Sequence, residues 1–248
     1  MEMQQDSTLS KVIEVATGRA APDLLLTGGR VLNVYTGRLE EADVAVAAGR
    51  IAYVGSLREA KIGPGDETRI IDVTGRILVP GYIEPHAHPF QLYHPVTLTE
   101  KVLPLGTTAM ICDNLFLFSR METGEFLSLA EELGRLPVHL FWWARFDSQA
   151  AHPDETEMFS LERVGGLLSH PLVLQGGELT AWPSLLAGDE RMVRWVEDAR
   201  RAGKRVEGHA PGASHRTLAR LAAAGVTGDH EPISPEEVWM RLRLGYMT

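Results

Sequence analysis

The chain has one cysteine, Cys112, among its 248 residues and therefore cannot form an internal disulfide bond. Basic residues are also few, because 24 lysines and arginines stand against 33 acidic residues. A net charge of -9 offers no basic surface for a phosphate backbone, so nucleic acid is not an expected partner. The sequence also lacks a secretory signal and an apolar run long enough to cross a membrane. We therefore expect a cytoplasmic protein without membrane contact, and we assign Cys112 to packing rather than catalysis.

Short β-type segments dominate the first part of the chain. Hydrophobic residues make up 44% of the sequence, which is ample for one large domain or two smaller ones. An amphipathic helix is predicted at residues 9–17, and strands are predicted at 23–26, 30–34, 42–47, 50–54 and 69–73. We predict that residues 1–75 form an N-terminal subdomain containing this helix and a small antiparallel β-sandwich.

From residue 77 onward, short apolar segments alternate with amphipathic stretches, which is typical of βα units around a parallel sheet. Strands are predicted at 77–83, 107–112, 137–144, 172–175, 205–207 and 225–228, and helices at 97–103, 122–133, 161–168, 190–202, 214–223 and 235–243. Residues 245–248 resemble the start of a seventh strand. We predict an α/β fold in which residues 76–248 supply about six βα units of a (β/α)8 TIM-like barrel. Since such a barrel needs eight strands to close, the chain is expected to be a truncated fragment.

Polar residues that can bind metals stand where the predicted strands end. His86 and His88 close the first strand, and residues two apart in a strand point to the same face. The active sites of such barrels lie at the carboxyl ends of the strands. The later strand ends carry Asp113, Glu178, His209 and His230, with Glu231 next to His230. Each of these residues could also be an ordinary turn or loop residue, but four histidines and a carboxylate on one rim indicate a two-metal site.

Three segments carry a resemblance to a known family: Val79-Pro-Gly-Tyr-Ile-Glu-Pro-His-Ala-His88, Gly208-His-Ala-Pro-Gly212 and Asp229-His-Glu231. They resemble the amidohydrolase superfamily, in particular the N-terminal part of adenine deaminases. The resemblance implies a distorted (β/α)8 barrel with a small β-sandwich and two divalent ions, most often Mn²⁺ or Fe²⁺, with Zn²⁺ also used. It implies the following ligands: His86 and His88 for one ion, His209 and His230 for the other, and Glu178 as a bridge.

The resemblance also implies a reaction, the hydrolytic deamination of adenine to hypoxanthine and ammonia. Glu178 and Asp113 are then the candidate catalytic residues, and Asp113 and Glu231 are candidates for binding the small-molecule substrate. In the family, a general-base aspartate follows strand 8, and this chain is expected to end before such a strand. The sequence leaves open whether the protein is a homo-oligomer.

Two segments depart from the adenine deaminase pattern. The first histidine pair is usually followed by Ile-Glu-Ser-Ser, whereas Pro89-Phe-Gln-Leu-Tyr93 follows it here. The second predicted strand is usually followed by Asp-Pro-His-Glu, whereas Asp113-Asn-Leu-Phe116 follows it here. Two alternatives therefore stay open: an amidohydrolase for another cyclic amide or amidine, and a truncated, non-catalytic metal-binding chain that needs a partner. Histidine and carboxylate ligands suit manganese, iron and zinc alike.

Overall fold

A computed structural model describes residues 2–248 of the chain and the side chains of residues 8–248. The chain divides into two units, Met1–Pro80 and Gly81–Thr248. The strand predicted at residues 77–83 is wrong, because the structure has two short strands there, Ile77–Leu78 and Tyr82–Ala87. Pro80 lies between them and has no N–H group to donate to a sheet.

The first unit contains two mixed β-sheets. Its elements are α1 (Glu2–Ala16), β1 (Leu24–Thr27), β2 (Arg30–Asn33), β3 (Arg38–Glu41), β4 (Asp43–Ala47), β5 (Arg50–Gly55), α2 (Leu57–Ala60), β6 (Arg69–Asp72) and β7 (Ile77–Leu78). The sheets have the orders β5-β4-β1-β6 and β3-β2-β7. The predicted all-antiparallel arrangement is wrong for two pairs, because β6 joins β1 and β7 joins β2 in parallel. Both strands return after long connections, which parallel pairing requires.

A small core holds the first unit together. Val15 of α1 packs with Leu25 of β1 and with Ala45 and Ala47 of β4, all of them buried. The sequence did not predict β3, since Arg38-Leu-Glu-Glu41 is polar and its four residues are exposed. The predicted packing of the two sheets into a sandwich stays a prediction.

The second unit contains a six-stranded parallel sheet with helices between its strands. Its elements are β8 (Tyr82–Ala87), α3 (Pro95–Val102), a 3₁₀ turn (Leu103–Leu105), β9 (Thr107–Cys112), α4 (Leu115–Phe118), α5 (Thr123–Leu133), β10 (His139–Ala144), α6 (Glu155–Met158), α7 (Leu161–Leu168), β11 (Val173–Leu179), α8 (Trp182–Leu186), α9 (Glu190–Arg201), β12 (Arg205–Gly208), α10 (His215–Ala224), β13 (Gly228–Asp229) and α11 (Pro235–Arg243). Each strand from β8 to β13 pairs in parallel with the next one along the chain. The carboxyl ends of all six strands therefore lie at one edge of the sheet.

The residues after α11 return to this sheet. Met247 forms an isolated parallel bridge with Gly228, and its carbonyl accepts a hydrogen bond from the Asp229 N–H at 3.0 Å. This pairing lies where the sequence suggested the start of a seventh strand.

The core of the second unit lies between the sheet and its helices. Trp142 of β10 is fully buried, with the Phe126 ring edge-on at 5.2 Å. Cys112 of β9 is fully buried as well, and burial raises the pKa of its thiol to about 12. A thiol that stays protonated near neutral pH is a poor nucleophile, so its packing role is consistent with the sequence. Among the described residues, every helix is too short or too polar to cross a membrane.

Candidate metal centre

The first part of the centre comes from β8. His86 lies in this strand and His88 directly follows it, and their Nε2 atoms are 2.9 Å apart. The centre of the Trp143 ring lies 4.3 Å from that of the His86 ring, and the His230 ring stacks on the His86 ring at 3.5 Å. The period-two geometry of a strand thus brings both imidazoles to one side, as the sequence predicts.

The second part comes from the next strands along the sheet. Glu178 lies in β11, His209 follows β12, and His230 follows β13. Glu178 Oε1 is 2.6 Å from His209 Nδ1 and 3.3 Å from His230 Nε2. Three neighbouring strands therefore place a carboxylate oxygen and two imidazole nitrogens around one point.

Glu178 belongs to both parts. His86, His88 and Glu178 form one group of potential metal ligands, and Glu178, His209 and His230 form the other. Within each group, the ligand atoms lie within 4.8 Å of one another. Histidine nitrogens and a shared carboxylate are suitable ligands for a pair of divalent ions. The residues present therefore fit a two-ion centre.

Two further carboxylates orient histidines of the centre. Asp113 Oδ2 lies 3.0 Å from His88 Nδ1, and Glu207 Oε1 lies 3.2 Å from His230 Nδ1. A carboxylate at one imidazole nitrogen fixes the ring and leaves the other nitrogen available to a metal. The sequence did not single out Glu207, although it stands two residues before His209 on β12, where the strand period would have indicated it.

A fully buried arginine supports Glu178 from behind. Arg145, the residue after β10, donates from Nη1 to Glu178 Oε2 at 2.8 Å, and its Nε lies 3.4 Å from Asp113 Oδ1. Gln149 Nε2 donates to the same Oε2 atom at 3.0 Å. Glu178 Oε2 thus accepts hydrogen bonds from Arg145 and Gln149, and Oε1 faces His209 and His230. Arg145 was not predicted as a site residue, even though it also stands at a strand end.

These contacts shift the acid–base behaviour of the centre. Burial opposes ionisation of Glu178, but hydrogen bonds from His209 and His230 and the charge of Arg145 outweigh it and hold its pKa below the usual range. Burial and the neighbouring His230 lower the pKa of His86 to about 3. Burial would also lower the pKa of His230, but its hydrogen bonds to Glu178 and Glu207 raise it to about 9. Without a metal, the centre thus pairs an ionised Glu178 with a protonated His230 and keeps His86 neutral.

Comparison with known proteins identifies the family. The amidohydrolase family matches residues 77–244. The chain belongs to this family. It is 44% identical over 95% of its length to a Halalkalibacterium halodurans protein provisionally named adenine deaminase. It is also 34% identical over 95% of its length to the adenine deaminase of Moorella thermoacetica. In both cases this amidohydrolase chain spans 40% of the length of the relative.

Solved structures show that the amidohydrolase fold extends over most of the chain. A β-aspartyl dipeptidase from Fervidobacterium islandicum has a TM-score of 0.63 at 17% identity, and the match covers 89% of this chain and 62% of that one. An adenosine deaminase from Xanthomonas campestris with bound zinc has a TM-score of 0.58 at 15% identity, covering 91% of this chain and 62% of that one. At such identities the similarity concerns the fold alone.

The other two predicted site residues of this amidohydrolase chain have different surroundings. Asp113 is buried between His88 and Arg145. Glu231 is 44% exposed, and its Oε1 lies 3.8 Å from His230 Nε2. All seven sequence-predicted residues therefore lie on the carboxyl edge of the sheet, with Asp113 behind His88 and Glu231 toward solvent.

Gly228 of β13 provides a test of the Glu207 contact. A Cβ atom at this position would overlap Glu207 Oε2, so Gly228→Ala is expected to push the carboxylate away from His230. Loss of such an outer carboxylate weakens metal binding by about 10- to 100-fold. Titration with Zn²⁺ measures the effect. The control is Gly165→Ala in α7, where a Cβ meets open space and binding should stay unchanged. Parental zinc affinity in Gly228→Ala would show that Glu207 does not support His230.

Proposed function

We propose that the chain carries the two-ion centre of a hydrolase that converts adenine to hypoxanthine and ammonia. The observation that carries this proposal is the position of Glu178, whose carboxylate belongs to both groups of potential ligands. The relatives named adenine deaminase support the choice of substrate. For the whole protein we propose a (β/α)8 barrel, of which the six parallel strands form a part.

Each ligand has a proposed role in the centre. His86 and His88 would hold one ion, His209 and His230 would hold the other, and Glu178 would be a ligand in both sets. Divalent ions bound in such a site lower the pKa of water, so that hydroxide is available near neutral pH; Mn²⁺ or Fe²⁺ is the expected pair and Zn²⁺ an alternative. Arg145 and Gln149 keep the second oxygen of Glu178 turned away from the histidines.

The two remaining acids act at different distances from the reaction. Asp113 is a positioning residue, because it contacts His88 and Arg145 and is almost fully buried. Glu231 is the better candidate to contact substrate, because it is partly exposed beside His230. Proton transfer to the leaving amino group needs a general acid or base near the substrate. The resemblance implies an aspartate from a further strand for that step.

The segments after β8 and β9 line a small cavity beside the centre. Phe90, Leu115 and Phe116 stand there together with His88, Gln91 and Asp113. These segments depart from the adenine deaminase pattern, and their three apolar side chains leave fewer groups that could read the polar edge of a purine. This departure favours a second candidate function, the hydrolysis of another cyclic amide or amidine at the same centre.

The test measures metal content and hypoxanthine formation separately. We expect the chain to bind two ions after incubation with Mn²⁺, Fe²⁺ or Zn²⁺. Hypoxanthine formed from adenine is measured by chromatography. His86→Asn should abolish product formation, because it removes a ligand that touches the centre. The matched control is His139→Asn at the exposed start of β10, which should retain the parental rate.

The chain spans two fifths of the length of these relatives. The same assay should therefore also be run on a chimera that has the full length of a relative. In it, residues 1–248 replace the matching part of the Moorella thermoacetica adenine deaminase. Hypoxanthine from either protein supports the proposal. Two bound ions without hypoxanthine from either protein would refute adenine as the substrate. Hydrolysis of hydantoin or dihydrouracil by the same samples would then establish the second candidate.

A further inference from the structure

A second set of charged residues is buried beside the loops that carry His209 and His230. Arg241 of α11 is fully buried, Asp229 at the end of β13 is 1% exposed, and Glu237 of α11 is largely buried. Burying charges is costly unless they are paired and hydrogen-bonded. We refer to Asp229, Glu237 and Arg241 as the α11 clamp.

Arg241 connects the loops that carry the two histidines of the second ligand group. Its Nη2 donates to the Ala210 carbonyl at 2.8 Å and to Asp229 Oδ2 at 3.2 Å. Ala210 directly follows His209, and Asp229 directly precedes His230. One rigid guanidinium therefore contacts the backbone next to His209 and the side chain of the residue next to His230.

Glu237 also contacts the loops after β12 and β13. Its Oε2 accepts hydrogen bonds from the backbone N–H of Gly212 at 3.2 Å and of Ile233 at 3.4 Å. Arg241 Nη1 donates to this oxygen at 3.2 Å, so the acid and the arginine act as one unit. The loop after β12 is thus attached to α11 twice, at Ala210 and Gly212, and α11 also holds the end of β13 at Asp229 and the following loop at Ile233.

The first ligand group has other supports. His86 packs against Trp143 and stacks on the His230 ring, and His88 is held by Asp113, which in turn contacts Arg145. Apart from His230, these residues lie on β8, β9 and β10 or directly after them, whereas β13 is at the other end of the strand order. A change in the α11 clamp should therefore affect the two groups unequally.

We propose that Arg241 is a positioning residue that sets the separation of His209 and His230 and thereby the affinity for the second ion. The inference rests on the metal centre of the proposed function but not on its substrate. Arginine suits this role because its planar fork serves several acceptors at once, whereas a lysine ammonium is a flexible point charge. Arg241→Lys keeps the buried charge and removes the fork.

The experiment compares Arg241→Lys with Arg243→Lys, an exposed arginine on the same helix. Zn²⁺ alone is titrated into each metal-free protein and followed by calorimetry. The second binding step is defined as the one that His209→Asn abolishes. In Arg241→Lys this step should weaken by about 10- to 100-fold, the range for partners that orient metal ligands. The first step should stay at its parental affinity, and Arg243→Lys should match the parent in both steps. Equal weakening of both steps, or of neither, would overturn the proposal.

Hydrogen exchange of the metal-free proteins gives a readout that needs no ion. The amides of Gly212, Glu231 and Ile233 should exchange faster in Arg241→Lys than in Arg243→Lys, while the amide of Asp113 should not change. Unchanged exchange at all four amides would also refute the clamp. If Arg241→Lys does not fold, Glu237→Gln removes a charge from the same network and is expected to weaken the second step alone. A parent that binds two ions but forms no hypoxanthine would refute the proposed function and leave the clamp intact.

Discussion

Glu178→Gln is expected to reduce bound Zn²⁺ from two ions per chain to fewer than one and to abolish any hydrolytic activity of the centre. The reason is that the carboxylate belongs to both ligand groups, so one substitution removes a ligand from each. Replacing even an outer partner of a metal ligand weakens binding by about 10- to 100-fold, and a shared direct ligand should matter at least as much. Metal analysis after gel filtration gives the ion content.

A matched control for this prediction is Glu197→Gln on the surface of α9. The Glu197 side chain is 56% exposed and pairs with Arg201 rather than with the centre. Its substitution should leave two ions bound. The glutamine in Glu178→Gln keeps an oxygen that can accept from Arg145, so the variant should fold and can be checked by circular dichroism. Two ions retained in folded Glu178→Gln would show that Glu178 does not bridge.

Arg145→Met is expected to lower the free energy of unfolding of the second unit by about 3–5 kcal/mol, because it leaves buried carboxylates without their partner. Arg145 is the charged partner of both Glu178 and Asp113, and all three side chains are nearly inaccessible to solvent. Urea denaturation followed by tryptophan fluorescence measures the unfolding of the second unit. All five tryptophans of the sequence lie between residues 142 and 239, within the second unit.

The control for Arg145→Met is Arg201→Met, an arginine that is 58% exposed and pairs with Glu197 and Asp198 on its own helix. Exposed ion pairs contribute about 0–1 kcal/mol, so this variant should unfold almost like the parent. Saturating Zn²⁺ should restore part of the loss in Arg145→Met, since cations would then compensate Glu178. A loss no larger than that of Arg201→Met would contradict the role of Arg145.

The parallel sheet could be predicted from sequence because apolar segments and amphipathic helices alternate regularly. The boundaries of β9, α7 and α11 agree with the prediction. The main error in the sheet concerns β11, which was predicted to end at residue 175 and continues to Leu179. Gly176 and Gly177 suggested a loop, but a Cβ at Gly177 would overlap the Glu207 carbonyl of β12. Glycines inside a strand can mark such close approach of two backbones.

The short helices and the pairing of the first unit were less predictable. Four short helices, α2, α4, α6 and α8, were missed because four or five residues carry too little periodicity to be recognised. The parallel pairing of β6 with β1 depends on contacts between residues more than forty positions apart. Local sequence patterns contain no information on such a choice.

The potential ligands could be predicted because histidines and an acid follow successive strands. Their supports could not, since the role of Arg145 depends on Glu178, which is 33 positions away, and an isolated arginine usually lies on the surface. Arg241 was missed for the same reason, as its partners lie on β13 and in the loop after β12. A strand-end search that includes arginine would have found Arg145 but not Arg241.

The most direct test of the two-ion centre is a crystal structure of the chain grown with Zn²⁺, with anomalous diffraction recorded at the zinc edge. We expect two anomalous peaks, one beside His86 and His88 and one beside His209 and His230, with Glu178 contacting both. A single peak, or two peaks of which only one contacts Glu178, would contradict it.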